Sequence, residues 1–426
     1  MSEEIRTLST AETPHAAQDS AVRAPVRATG LVVVGMVLAA LNLRPAITSL
    51  GALLEEARTG LHMSGSVAGL LTSVPPLCFA VFGVAAPRLA RRFGPGAVVC
   101  AGMAAVATGL AVRPFAGGTA AFLAASALAL MGIAVSNVLM PVIVKRYFPD
   151  RVGSMTGLYS MALALGTSLA AAATVPLTSA LGGSWRGGLA VWAVLAAVAV
   201  LPWPGLVRDS RDSASPASGK AVGAGESAAA PRITRSPTAW ALACFFGLQA
   251  TGAYITMGWM PQIFRDAGVP AGTAGVLLAV TMVMGVPLAF VIPRLATRMK
   301  QQGPIVVALG LCGLTGYLGL QLAPAAGAWA WALLLGVSNC SFPLALTMIG
   351  MRSRTGTGVV RLSAFAQSTG YLISIPGPLL VGVLYQHSGG WDLPLTLMAA
   401  LLLPQIGMGL LAGRDRTIED ETGMRN

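Results

Sequence analysis

Arg44, in the stretch AALNLRPAITS, is where this sequence has most to offer chemically. It stands about fifteen residues into an apolar run. A charge at such depth costs roughly 2.5–3.5 kcal/mol on insertion scales, and residues like it mark pathways by default. A guanidinium keeps its charge and presents a planar fork suited to carboxylate-like or linear anions. Pro45 follows at once, which removes a backbone donor and frees a carbonyl one turn back. The competing reading is that Arg44 lies in the outer half of the run and snorkels to the headgroups.

The sixteen Asp and Glu residues sharpen the point, because none falls at mid-depth in an apolar run. Glu55 or Glu56, just past the first run, could carry a proton from the outer edge. Arg44 therefore has no evident intramembrane counter-ion, and a buried cation without a partner is costly. The expected solution is an anionic solute that supplies the missing charge.

Other polar side chains sit inside apolar runs. GLQATGAYITMGWMPQIF offers Gln249, Tyr254, Trp259 and Gln262, and RLSAFAQSTGYLISIPGPLL offers Gln367 and Tyr371, which at i, i+4 share a helix face. Asn137 and Asn339 occupy matching places in two further runs. Each can meet a solute or bridge helices by hydrogen bonding, and Trp259 can equally belong to an interfacial aromatic belt. The five cysteines lie in apolar runs without CxxC spacing and read as small hydrophobes, not as disulfides or metal ligands. Nothing matches GxxxxGK[ST], and no cofactor or metal is expected.

These residues need a membrane to position them. Hydrophobic residues make up 55% of the 426 and charged ones 10%, too little polar surface to cover a soluble globule of this size. That excludes a disordered chain, a nucleic-acid binder and an ordinary soluble enzyme. Runs long enough to cross a bilayer occur at about 28–50, 65–87, 96–114, 118–143, 153–181, 188–207, 239–263, 271–293, 303–323, 327–350, 359–385 and 392–412. None alternates as an outer-membrane strand would, so the class is all-α integral membrane. The expected organisation is a tail at 1–27, six helices over 28–207, a flexible Ser/Gly/Ala/Pro-rich linker at 208–238, six helices over 239–412 and a tail at 413–426. Of the 28 Lys and Arg residues, 23 fall in the tails, the linker and the even-numbered connections, so both termini should be cytoplasmic. Arg58, Arg113, Arg186 and Arg265 are assigned to the opposite face.

The two blocks echo each other. Ala68-Gly69 with Leu71 recurs 206 positions on as Ala274-Gly275 with Leu277, and Pro87-Arg88-Leu89-Ala90 as Pro293-Arg294-Leu295-Ala296. Ser136-Asn137 with Pro141 recurs 202 positions on as Ser338-Asn339 with Pro343. Two pseudo-symmetric six-helix halves joined by a cytoplasmic linker resemble the major facilitator transporters, in which substrate sits near the midplane between rocking halves. GVAAPRLARRFG at 83–94 resembles that superfamily's loop signature through Gly83, Arg88, Arg91, Arg92 and Gly94, with Arg91 near the place of the usual acidic residue. The same arginines also read as plain membrane anchors.

LNLRPAITSLGALL, SNVLMPVIVKRYFPDRVGSMTGLYS, GLQATGAYITMGWMPQIF and LSAFAQSTGYLISIPGPLL resemble the cyanate permease/nitroimidazole transporter (CynX/NimT-type) family. The likeness runs through nearly the whole chain outside the tails and linker. It implies a bacterial inner-membrane facilitator for cyanate-like or nitroaromatic solutes, with Asn42, Arg44, Gln249, Tyr254, Gln367 and Tyr371 in the translocation pocket. The expected partners are a small anionic or polar solute and the bilayer, not nucleic acid, and the expected state is a monomer. A multidrug-type exporter of neutral compounds is the nearest rival. An intramembrane enzyme would need clustered His, Asp or Glu inside the runs, and a sensor an ordered soluble domain.

Overall fold

In the computed structural model, residues 26–205 and 233–421 are described. Twelve helical spans cross the bundle, in the order expected: Gly30–Ala52, Gly65–Phe93, Pro95–Phe115, Thr119–Tyr147, Ser154–Ala180, Trp185–Gly205, Pro237–Asp266, Ala271–Arg298, Gly303–Leu322, Ala328–Met351, Gly358–Ser388 and Asp392–Ala412. Spans two, four and eight overrun the apolar segments that mark them. Arginine and lysine end a hydrophobic run without ending a helix, so span two continues through Arg88, Arg91 and Arg92 until Gly94, whose φ of +82° stops it. Most of the expected linker, 206–232, lies outside the described residues, as do residues 1–25 and 422–426.

Four spans are broken near their middles. Span one consists of helices Val26–Asn42 and Pro45–Ala52, parted at Leu43-Arg44. Span eight parts at Met284, span ten at Cys340 and span eleven at Ile375, ahead of Pro376. Proline at the first helical position gives up only a donor that would be unpaired anyway, so a break followed by Pro45 or Pro376 restarts the helix cheaply. Such breaks leave backbone groups unpaired inside the bundle, where side chains can meet them.

Twelve crossings return the chain to the side on which it began, so the described ends share one face of the bundle and the other face is the far side. There the two halves meet through small residues. Gly69 of span two and Gly382 of span eleven approach so closely that a Cβ on Gly382 would lie 2.8 Å from the Gly69 Cα. A Cβ on Gly275 of span eight would lie 2.5 Å from the Ala171 carbonyl oxygen of span five. Gly69 and Gly275 are the repeated pair of the sequence, and each serves the same kind of cross-half contact. Arg265 pairs with Glu56 at 2.9 Å, Trp259 Nε1 donates to Thr72 Oγ1 at 3.2 Å, and Ser66 donates to Gln386 Oε1, all between halves.

The C-terminal segment is docked. Its short turn Ile418–Glu421 lies against the ends of spans seven, ten and eleven. Glu421 accepts from Thr238 N at 3.1 Å and Thr238 Oγ1 at 2.7 Å, as well as from Ser236, at the start of span seven. Glu419 accepts from Ser353 Oγ at 2.6 Å and Arg354 N at 3.2 Å, and Asp420 pairs with Arg354. Carboxylates at helix N-termini meet unpaired N–H groups and the positive end of the dipole.

Candidate functional site

Arg44 occupies the hinge between the two helices of span one. Its carbonyl accepts from Ile47 N at 2.9 Å and Thr48 N at 3.1 Å, so the residue starts the second helix while its side chain is half-buried in the bundle. Its charge is felt at the hydroxyl of Tyr254 on span seven. It also acts electrostatically on the hydroxyls of Tyr159, span five, and Tyr371, span eleven. Three of the chain's six tyrosines are thus within electrostatic reach of one cation, from both halves of the molecule. Among the described residues no carboxylate forms an ion pair with Arg44; the three ion pairs found are Arg58–Glu55, Arg265–Glu56 and Arg354–Asp420. Tyrosine hydroxyls stabilise a guanidinium by dipole only, and its net charge remains unbalanced.

The aromatic side of the site comes from Tyr371. Its ring stacks on Phe79 of span two with centroids 5.0 Å apart and meets Phe246 edge-on at 5.2 Å. The other polar candidates are hydrogen-bonded to neighbouring groups. Asn137 accepts from Tyr159, joining spans four and five. Its repeat partner Asn339 accepts from Gln249 Nε2 at 3.1 Å, joining spans ten and seven. Gln249 is 5% exposed, and its Oε1 has no partner among the described residues. Gln367 Nε2 donates to Ser363 Oγ at 2.7 Å, one turn earlier on span eleven.

Not every candidate converges here. Asn42 turns away: its Nδ2 donates to Leu38 O at 2.8 Å and Leu195 O at 3.2 Å, fastening span one to span six. Trp259 is 1% exposed, so it sits in no lipid-facing belt. It stands at the far side against Tyr385 and Trp391, whose polar atoms donate to Asp266. Gln262 also donates to Asp266, at 2.7 Å. Gly83 lies one turn from Phe79, beside Val138, whereas Arg88, Arg91, Arg92 and Gly94 lie at the terminus-side end of span two; the three arginines are exposed. Arg88 Nη1 returns to Val84 O at 3.2 Å, and Arg92 lies over the Phe93 ring.

Two residues of the site were not singled out from sequence. Tyr159 lies in an Ala/Gly-rich span whose edges hydropathy places poorly, though its standing as one of six tyrosines was a signal. Arg113, assigned with Arg58, Arg186 and Arg265 to the opposite face, is 1% exposed at the end of span three, with Nη1 donating to Ala46 O at 3.0 Å. Position at the end of an apolar run does not reveal which way a side chain turns.

At the far side, Glu55 is held by Arg58 at 2.6 Å, and the hydrogen bonds from that guanidinium keep its carboxyl below the ordinary range. Neither Glu55 nor Glu56 approaches Arg44.

Residues 32–358 match the Major Facilitator Superfamily. An uncharacterized transporter of Bacillus subtilis, YycB, is 36% identical over 93% of this chain and 96% of its own. The 2-nitroimidazole transporter of Escherichia coli is 33% identical over 91% and 96%, and the cyanate transport protein CynX of the same organism 30% over 84% and 90%. The fold is that of the crystal structure of a bacterial homologue of the lysosomal transporter Spinster, inward-facing and occupied, with a TM-score of 0.71, 15% identity and coverage of 91% and 97%. These are transporters rather than enzymes. With twelve spans in two six-helix halves and likeness over nearly its full length, the chain belongs to the major facilitator superfamily, in its cyanate permease/nitroimidazole transporter family.

Proposed function

We propose that this chain moves a small anion or small polar organic compound, of the cyanate-like or nitroaromatic class, across a bacterial inner membrane by alternating access, with Arg44 as the counter-charge. One observation carries the proposal: a half-buried guanidinium at a helix break, with Tyr159, Tyr254 and Tyr371 within its electrostatic reach and no carboxylate paired with it among the described residues. Such a site is incomplete until an anion or a strongly polar oxygen enters it. The stacked Phe79–Tyr371 pair adds a flat apolar wall, which suits an aromatic solute carrying a nitro group. The names of the two Escherichia coli relatives agree with both chemistries.

The distribution of basic residues supports a cytoplasmic location for both termini. The far side is then the outside, and the glycine contacts, the Trp259–Thr72 bond and the Glu56–Arg265 pair close it. With no mid-depth carboxylate to carry a proton, transport runs as uniport or exchange, or as symport in which solute and Arg44 together handle the proton. The rival reading, an exporter of neutral compounds, keeps the aromatic wall but leaves Arg44 without a role.

Uptake by purified protein in liposomes, over a panel of small anions and nitroaromatics, tests the substrate class. The expected result is saturable uptake of at least one member that a second member inhibits. Uptake confined to neutral, non-nitro compounds would favour the exporter. For orientation, a membrane-impermeant thiol reagent on intact cells should label a cysteine placed at Gly183 and miss one placed at Ser218; the reverse pattern overturns the topology.

A further inference from the structure

Arg113 is a second buried cation, and nothing said of the Arg44 site gives it a part. It opens the turn Arg113–Phe115 at the end of span three and is 1% exposed. Among the described residues no carboxylate pairs with it. The Phe122 ring lies 5.7 Å from the guanidinium, a contact that favours the charge without fixing its direction. Its one hydrogen bond among the described residues runs from Nη1 to the Ala46 carbonyl oxygen, at 3.0 Å. Burying a guanidinium for a single bond to a backbone oxygen is costly, and ionisable residues inside a membrane protein mark function by default.

Ala46 stands two residues beyond Arg44, in the short second helix of span one, Pro45–Ala52. All eight residues of that helix are buried, and it packs between span five of its own half and span seven of the other. The approach to span seven is close: a Cβ on Gly51 would lie 2.1 Å from the Met257 carbonyl oxygen. The break at Leu43-Arg44 interrupts the helical ladder, so the first helix of span one does not hold the second rigidly. Its own polar side chains do not anchor it either. Thr48 Oγ1 returns to Arg44 O at 3.3 Å, and Ser49 Oγ has no partner among the described residues. The bond from Arg113 is therefore the one side-chain hydrogen bond, among the described residues, that fastens Pro45–Ala52 to another span.

In alternating access a segment lying between the halves must travel with one of them. Span three belongs to the first half, so the Arg113–Ala46 bond commits the short helix to that half, with Arg44 at its start. Tyr254, on span seven, departs with the other half. We infer that Arg113 is a positioning residue: by holding the Ala46 carbonyl it fixes the second helix of span one and, through it, the place of the Arg44 side chain. The step from Arg44 to solute rests on reading Arg44 as the counter-charge; the step from Arg113 to the helix does not.

The test compares wild type, Arg113→Lys and Arg113→Met as purified full-length protein. Methionine fills comparable space without a donor, whereas lysine keeps a charged donor on a long stem. Amide hydrogen exchange, read with no solute present, should run about tenfold faster over residues 46–52 in Arg113→Met. It should stay unchanged over the first helix of span one, and close to wild type throughout in Arg113→Lys. In liposomes, Arg113→Met should raise the KM for cyanate about tenfold with little change in kcat, and lysine should restore most of the loss. In an Arg44→Ala background the same substitution should add no further rise, because the residue it positions is gone. Exchange over residues 46–52 that is unchanged, or that rises equally across all of span one, would overturn the inference. So would a KM effect undiminished in Arg44→Ala. A failure of the counter-charge reading looks different: Arg44→Ala then keeps the wild-type KM, while Arg113→Met still loosens residues 46–52 and the tether stands. Should Arg113→Met fail to fold, Arg113→Gln, whose shorter side chain stops short of the Ala46 carbonyl, takes its place in every arm.

Discussion

Gly69→Ala should open the far side of the molecule. A Cβ at that position would lie 2.9 Å from the Leu379 carbonyl oxygen, 3.0 Å from that of Pro378 and 3.1 Å from the Leu379 Cα. All three are backbone atoms of span eleven, so no side chain can rotate away and the helices themselves must separate. Overpacking of this kind costs about 1–3 kcal/mol. The gain in helix propensity from glycine to alanine is common to both conformers and cancels. The contact exists only where the halves meet, so the cost falls on the closed state and shifts its population about 5- to 150-fold toward states open at the far side. Gly275→Ala, its repeat counterpart, should act alike through the Ala171 carbonyl oxygen of span five, 2.5 Å from the added Cβ. The assay is a spin-label distance between cysteines placed at Gly118 and Gly390, where an added Cβ meets nothing within 4 Å, in a chain whose native cysteines are replaced by alanine. The distance should lengthen in both variants and stay put in Gly83→Ala, whose Cβ would meet only Val138 Cγ2 at 3.8 Å. An unchanged distance in Gly69→Ala and Gly275→Ala, or an equal change in Gly83→Ala, would refute the reasoning.

Two further outcomes follow from charges outside the spans. Glu55 has its carboxyl lowered from the ordinary 4.5 by the hydrogen bonds from Arg58, so its ion pair stabilises the fold above that value and is lost only as pH falls through the lower folded one. Glu55→Gln should therefore leave the shape of the pH profile of uptake between about pH 5.5 and 8 unchanged, as measured in liposomes; a flattened profile would make Glu55 a proton carrier after all. Glu421→Ala strips the start of span seven of the acceptor for Ser236 and for the Thr238 amide and hydroxyl, and should cost about 1–2 kcal/mol of stability, read as a lower unfolding temperature in detergent; an unchanged temperature would show that the docked C-terminal turn contributes nothing.

The spans were legible because a bilayer demands a length of apolar helix and the chain supplies it twelve times. Arg44 was legible for the converse reason, since one charge in an apolar run has few explanations. The repeat Ala68-Gly69 and Ala274-Gly275 was visible as a match but not as a contact. Only the packed halves show that both glycines let one half's backbone approach the other's. What sequence could not give is direction around the helix axis. Asn42 stands two residues from Arg44, yet it is fully buried and fastened to Leu195 while Arg44 stays half-buried at the helix break. Trp259 suggested a lipid belt by its type, but the helix carries it inward to Thr72. Arg113 sits at a span end, where basic residues usually meet water, and folds back beneath Ala46 instead. Likewise the C-terminal residues 413–421 have the composition of a tail, but their carboxylates find the unpaired starts of helices.

The central claim is that Arg44 supplies the charge a substrate needs, and affinity measured at matched membrane abundance tests it most directly. Cyanate, or whichever anion the liposome panel selects, is the probe, against wild type, Arg44→Lys and Arg44→Ala. Truncation to alanine removes a charge-assisted hydrogen bond worth roughly 1.5–3 kcal/mol, which is about one to two orders of magnitude in affinity. Lysine keeps the charge but loses the planar fork, and should recover only part of that loss. Equal affinity in all three would contradict the claim and leave Arg44 as a membrane anchor.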